Sequence, residues 1–370
     1  MHRNIPYLPC LSLWGTISLI LMGVAISSCQ APRNGEANHA ETTLAESVAA
    51  LAEGFLEPDI IHSVSIALYR KGEGATFHFG EQNPGQGNPP TDSTLYELAS
   101  VTKTFTGTLA AKAVLEGKLS LTDDIRDYLP GDYPNLAYEG TPITLQDMLT
   151  HTSGFPNFGP RTETKEVFLE DLHQIEITYP PGTRFLYSNT APEVTAYMLE
   201  QAYGMPYRDL VHTFILEPNG MRDTKFTLNA RDQARLIQGY NGEAEPQEHF
   251  QNSLWGGIAG LHATAPDLLR YLQYHLDESV PEVKESHRNF FSTQYDFDMG
   301  YQWNLLEIDG HPCYRHHGGI WGMQNWFMVF PEEQIGIFVL SNASFGGSAF
   351  SQGIDDQLEA LALDLFELVK

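Results

Sequence analysis

Strand-patterned segments stand at both ends of this 370-residue chain, and the stretch between them reads mostly as helix and loop. Val64-Ser65-Ile66-Ala67-Leu68-Tyr69 alternates like a strand, Lys71-Gly72-Glu73-Gly74 follows as a turn, and Thr76-Phe77-His78-Phe79 resumes the alternation. Far downstream, residues 313–317, 325–330 and 335–340 give three more strands separated by Gly/Trp and Pro/Glu turns. A sheet drawn from both ends carries the middle of the chain as an insertion, with a cleft where the two parts meet. The expectation is an α/β (α+β) fold: an antiparallel sheet from about residues 43–90 and 295–370, flanked by helices, and a mostly helical part over about 91–294.

The helical signals are specific. Leu44, Val48, Leu51 and Phe55 share a helix face. A second helix runs from Ser100 to about Glu116, with Gly117 as its stop, and its small apolar interior suits burial on all sides. Residues 193–202 precede Gly204; residues 264–276 start with Thr264 as a cap and Asp267 in the first turn; residues 357–369 place Leu358, Leu361, Leu365 and Phe366 on one side.

Hydrophobic residues make up 42% of the chain and charged ones 18%, so it can build a core. The net charge of -26 excludes nucleic acid and an anionic membrane face as main partners. The cysteines are Cys10, Cys29 and Cys313, too few for a disulfide framework, and Cys313 on an apolar strand reads as a small buried hydrophobe. His2 and Arg3 precede an apolar run over residues 5–26 that ends in Ile26-Ser27-Ser28-Cys29, the pattern of a secretory signal. This ending resembles a bacterial lipoprotein processing site. The resemblance implies that signal peptide 1–28 is removed, that the Cys29 thiol is lipidated, and that residues 29–42 tether a domain spanning 43–370. An uncleaved membrane anchor is the other reading of the same run. Either way the domain is expected to be exported and held at a bacterial cell envelope. Where two membranes exist, Gln30 instead of Asp after the cysteine points to the periplasmic side of the outer one.

Ser100-Val101-Thr102-Lys103 places a hydroxyl and an amine three residues apart at a helix start, where the side chains can touch. A serine hydroxyl needs a neighbouring base to become a nucleophile, and a desolvated lysine can act as one. About one Ser-x-x-Lys is expected by chance in a chain this long. The pattern gains weight from Tyr187-Ser188-Asn189 and His316-His317-Gly318.

These three motifs, in this order, resemble the serine β-lactamase and penicillin-binding-protein superfamily, in its class C-like branch with D,D-carboxypeptidases, D-aminopeptidases and esterases. Accessory stretches agree: Leu121-Thr122-Asp123-Asp124 through Tyr128-Leu129-Pro130, Ile143-Thr144-Leu145 through Leu149-Thr150-His151-Thr152-Ser153-Gly154, Asn219-Gly220-Met221-Arg222-Asp223-Thr224, and Pro331-Glu332-Glu333 through Val339-Leu340-Ser341-Asn342. The resemblance spans roughly residues 43–368. It implies that Ser100 is the acyl acceptor, that Lys103 and Tyr187 act as a coupled acid–base pair, and that Asn189 donates to Lys103 and to a substrate carbonyl. His316 and Gly318 would bind substrate, and the backbone amides of Ser100 and Gly319 would form an oxyanion hole. Strand alternation turns His317 and Arg315 away from the cleft if His316 points in.

Other residues carry blander expectations. His151 and Thr152 read as a buried hydrogen-bonding turn, residues 155–158 as a stretch that either lines the cleft or does not, and Trp255, Trp321 and Trp326 as core or cleft wall. No His-Glu-x-x-His spacing points to a metal, and no cofactor is called for. Many β-lactamases carry lysine, a fixed positive charge for a substrate carboxylate, where this chain has His316, and no second acid suggests itself for activating water. The expected activity is a serine hydrolase acting through an acyl-enzyme on a small-molecule or peptide substrate: a cell-wall D-amino-acid peptide, a β-lactam or a small ester. The alternative is a non-catalytic binding lipoprotein of the same fold.

Overall fold

The computed structural model describes residues 34–56, 60–157, 162–344 and 353–370. Cys29, the signal segment and Phe158 lie outside these residues. Helix α1 (Asn34–Phe55) begins ten residues before the Leu44 start expected from the apolar spacing, inside the stretch read as tether. Residues Ala45–Lys370 form one compact unit.

One eight-stranded antiparallel sheet organises this unit. Its strands are β1 (Ser63–Arg70), β2 (Glu73–Gly80), β3 (Phe291–Ser292), β4 (Asp298–Met299), β5 (Asn304–Ile308), β6 (His311–Ile320), β7 (Met323–Phe330) and β8 (Ile335–Ser341), in the order β2-β1-β8-β7-β6-β5-β4-β3. The two ends of the chain meet at β1 and β8, where Val64 pairs with Ser341 and Arg70 with Ile335. The sheet built from both termini is therefore as expected.

Strands β7 and β8 are buried along their whole length because helices cover both faces. Phe327 and Phe338 turn to α4 (Ala265–Leu276), where the Tyr271 ring lies 5.2 Å from that of Phe327. Trp326 and Phe330 turn to α5 (Ile354–Val369): the Trp326 indole donates to the Asp355 carbonyl at 3.0 Å, and Phe330 stacks on Phe366 at 3.8 Å. Burial on both faces explains why these strands read as near-continuous apolar runs. Cys313 on β6 is fully buried, and burial pushes its thiol well up, which fits an inert packing residue.

Helix α2 (Thr102–Leu115) lies in the middle of the unit and is buried for nearly its whole length. At Gly107 a Cβ would sit 1.9 Å from the Tyr301 carbonyl oxygen, so only glycine lets the two segments come together. Helix α3 (Thr190–Tyr203) ends at Gly204 in the left-handed conformation, as the sequence predicts. Thr264 takes the extended backbone of an N-cap for α4, but its side chain caps nothing.

Candidate active site

Ser100 sits in a single 3-10 turn, Ala99–Val101, that runs directly into α2. Ala99 just before it has φ +46°, a left-handed conformation that a non-glycine residue holds at a cost of about 1–3 kcal/mol. The turn is clamped from the sheet side. Asn325 of β7 donates to the carbonyls of Glu97 and Leu98, each at 3.4 Å. One turn into the helix, the Lys103 ammonium nitrogen lies 2.8 Å from Ser100 Oγ and 3.1 Å from the Ile258 carbonyl. Lys103 is fully buried, and burial lowers its pKa to about 7, against the opposing pull of the Glu193 carboxylate.

Glu193, on α3 and itself buried, fixes the loop that carries Ile258. Its two oxygens accept from Asn252 Nδ2 at 2.9 Å and from the amides of Trp255, Gly256 and Ile258 at 3.2, 3.1 and 3.3 Å. Arg208 holds the same loop by the carbonyls of Asn252, Leu254 and Trp255, and Thr106 of α2 by that of Gly257. Neither Glu193 nor the Ile258 carbonyl had a sequence signal. A glutamate in a helix reads as a solvent-facing residue, and a backbone oxygen has no residue type.

Tyr187 reaches the same serine from the other side, its hydroxyl donating to Ser100 Oγ at 3.0 Å. Burial pushes this phenol up to about 12, with the bond to Ser100 pulling the other way, so Tyr187 is protonated in the resting site. The Lys103 nitrogen lies 5.1 Å from the Tyr187 ring centre. His151 supports the tyrosine from behind, its ring 4.6 Å from that of Tyr187 and its Nδ1 accepting from the Ser188 amide at 3.2 Å. Burial, followed by the charge of Lys103, holds this imidazole well below its ordinary pKa. His151 and Thr152 thus form the expected buried turn, with the addition that it backs the tyrosine.

Asn189 departs from expectation. Its amide donates to Asn157 Oδ1 at 2.8 Å and not to Lys103, whose bonds go to Ser100 and Ile258. Asn189 Oδ1 is buried and has no hydrogen-bond partner among the described residues. In the stretch 155–158, Asn157 lines the cleft, whereas Phe155 is buried in the core.

The far wall is β6. Strand β5 pairs with it only as far as Asn304 opposite Arg315, so among the described residues no strand pairs with 316–320 on that side, and this edge borders the cleft. Gly318 fits where nothing larger does: a Cβ would lie 2.5 Å from both the Leu98 carbonyl oxygen and Asn325 Oδ1. This close approach brings the β6 edge against the Ser100 turn. His316 lines the cleft, and its Nδ1 donates to the His317 carbonyl at 2.6 Å. Burial, then the nearby Lys103 charge, pushes His316 down to about 3, so the ring is neutral. His317 turns to the opposite face, bonding Gln324 at 2.7 Å, and Arg315 pairs with Glu359 of α5, as strand alternation requires. Ser100, Tyr187, Asn189, His316 and Gly319 all line one cleft of about 720 Å³. Trp321 is part of its wall, whereas Trp255 and Trp326 are buried.

A family model described as Beta-lactamase matches residues 48–362. A beta-lactamase of Pseudomonas fluorescens is 27% identical over 275 residues, covering 71% of this chain and 75% of that protein. The D-alanyl-D-alanine-carboxypeptidase/endopeptidase AmpH of Escherichia coli (strain K12) is 27% identical over 313 residues, covering 77% of this chain and 80% of that protein. Among solved structures, a beta-lactamase/D-alanine carboxypeptidase from Yersinia pestis complexed with citrate superposes with a TM-score of 0.78 at 25% identity, covering 89% of this chain and 99% of that one. A class C beta-lactamase shares the fold with a TM-score of 0.79 at 22% identity, over 90% and 98% of the two chains.

Proposed function

The chain belongs to the beta-lactamase family of hydrolases, and from that premise we propose that it is a serine hydrolase that cleaves an amide or ester through an acyl-enzyme on Ser100. The observation that carries this reading is the position of Ser100 Oγ, 2.8 Å from a buried lysine amine and 3.0 Å from a protonated phenol. A lysine with a pKa of about 7 is neutral in a good share of molecules at neutral pH, which makes Lys103 the base. Lys103 takes the Ser100 proton as Oγ attacks the carbonyl carbon. The Ser100 and Gly319 amides donate to the oxyanion, a contribution of about 3 kcal/mol for one such donor.

Collapse of that intermediate breaks the bond to the leaving group, which takes the Tyr187 proton as it departs. The site is then left with a lysine ammonium beside a tyrosine phenolate, each charge stabilising the other. Water completes the cycle without a further acid. The phenolate takes a proton from the attacking water, and the ammonium returns one to Ser100 Oγ as the acyl bond breaks. Asn189 and His316 hold substrate. The signal segment and Cys29 support an exported, lipid-anchored protein on the periplasmic side of an outer membrane where there is one.

The test is covalent labelling of the purified protein by a fluorophosphonate, read as intact mass beside Ser100→Ala. One adduct on the native protein and none on the variant is the expected result. Equal labelling of both, or hydrolysis that survives Ser100→Ala, would remove Ser100 from the mechanism.

A further inference from the structure

The cleft around Ser100 is built from aromatic and aliphatic side chains. Phe297 and Tyr295 lie edge-on to Phe185 at 5.4 and 6.1 Å and stack on each other at 5.9 Å. Phe250, Ile320 and Trp321 line the same cleft. Tyr295 and Trp321 are 60% and 46% exposed, so the mouth is aromatic as well as the interior. Beyond Ser100 and Tyr187, the lining residues with polar side chains include Asn157, Asn189, Asn304, Tyr295, His316 and His317, the last with its ring turned to Gln324 on the other face of the strand. No lysine or arginine lines the cleft among the described residues. Lys103 stands behind Ser100 with its bonds committed.

His316 does not replace the missing cation. A carbonyl oxygen can only accept, so the 2.6 Å contact to the His317 carbonyl puts a proton on Nδ1. A neutral ring of that tautomer has a lone pair on Nε2, which attracts a donor and repels a carboxylate. The molecule as a whole carries -26, which lowers the local concentration of any anion.

We propose that the substrate is an uncharged ester or amide with apolar or aromatic groups on both sides of the scissile bond and no carboxylate next to it. The proposal rests on the serine-hydrolase reading above and narrows it, since a peptide ending in a free carboxylate and a penicillin both fall outside this class.

The experiment compares two esters that differ by one carboxylate, phenyl phenylacetate and 3-carboxyphenyl phenylacetate, each corrected for its rate of alkaline hydrolysis. The neutral ester is expected to show a kcat/KM at least tenfold higher. Trp321→Arg, at an exposed position where folding is not at stake, should narrow that ratio by adding a cation at the mouth. A carboxylate ester cleaved as fast as the neutral one, or faster, overturns the proposal and leaves the hydrolase reading intact. If Ser100 takes a fluorophosphonate but neither ester turns over, the concentration of each that slows labelling decides in the same way. Absence of both labelling and turnover removes the hydrolase reading, and the substrate proposal with it.

Discussion

Lys103 sets the pH behaviour of this site. Its pKa is about 7, so on the acid side the amine is protonated and cannot take the Ser100 proton. We expect kcat/KM to fall about tenfold per pH unit below that value. The Glu193 charge raises the lysine against the stronger effect of burial, so Glu193→Gln should move the acid limb to lower pH, besides loosening the loop that presents Ile258. A profile that keeps its midpoint would mean that the Glu193 charge does not reach Lys103. The contrast between these two residues explains what could be read from sequence. Ser100, Lys103 and Tyr187 were legible because proton transfer demands particular side chains at particular spacings. Glu193 and the Ile258 carbonyl matter because of where the fold places them beside Lys103, which no motif spacing encodes.

At the scale of elements, the close approach of β6 to the Ser100 turn is the feature on which the site depends. Gly318→Ala would push a methyl group into the Leu98 carbonyl, so the strand or the turn must give way. We expect a loss of about 1–3 kcal/mol in urea unfolding, together with a fall in kcat as Ser100 shifts. A variant with native stability and native kcat would show the contact to be slack. Strands and helices were recovered from periodicity, but side-chain partners were not. Thr264 leaves its cap unmade, while Asp267 in the same helix turn accepts from the Asp223 amide at 2.7 Å and the Thr224 hydroxyl at 3.0 Å, tying down the Asn219–Thr224 stretch. Composition can also mislead. Ser65 Oγ bonds His78 at 2.7 Å, and His78 bonds Asp92 at 3.0 Å, which are the parts of a hydrolytic triad. Ser65 is fully buried and also bonded to Tyr96 at 2.6 Å, so the chain of bonds serves as a brace between β1, β2 and the segment leading to Ser100.

The molecule as a whole should be sensitive to acid. His275 on α4 and His287 lie 3.1 Å apart, packed against the rings of Tyr271, Tyr274, Trp303, Tyr314 and Phe327, and the Thr108 hydroxyl lies 3.5 Å from His275. Burial lowers His287 to about 3 and His275 well below its ordinary value, and His316 is lowered likewise. Groups with depressed folded values contribute full stability above their unfolded pKa near 6.5 and lose it as pH falls towards 3. Each costs about 1.4 kcal/mol per pH unit once the unfolded chain binds its proton. The urea midpoint should therefore drop steadily between pH 7 and 5, and replacing His275 and His287 together by Leu and Phe should flatten that slope. A midpoint constant over this range would show that these imidazoles are already solvated. The pairing of β1 with β8 bears on how the protein is made. Residues 64–70 leave the ribosome long before their partners at 335–341. The sheet cannot close until both strands have been made, and truncation ahead of Ile335 would leave β1 without its inner neighbour.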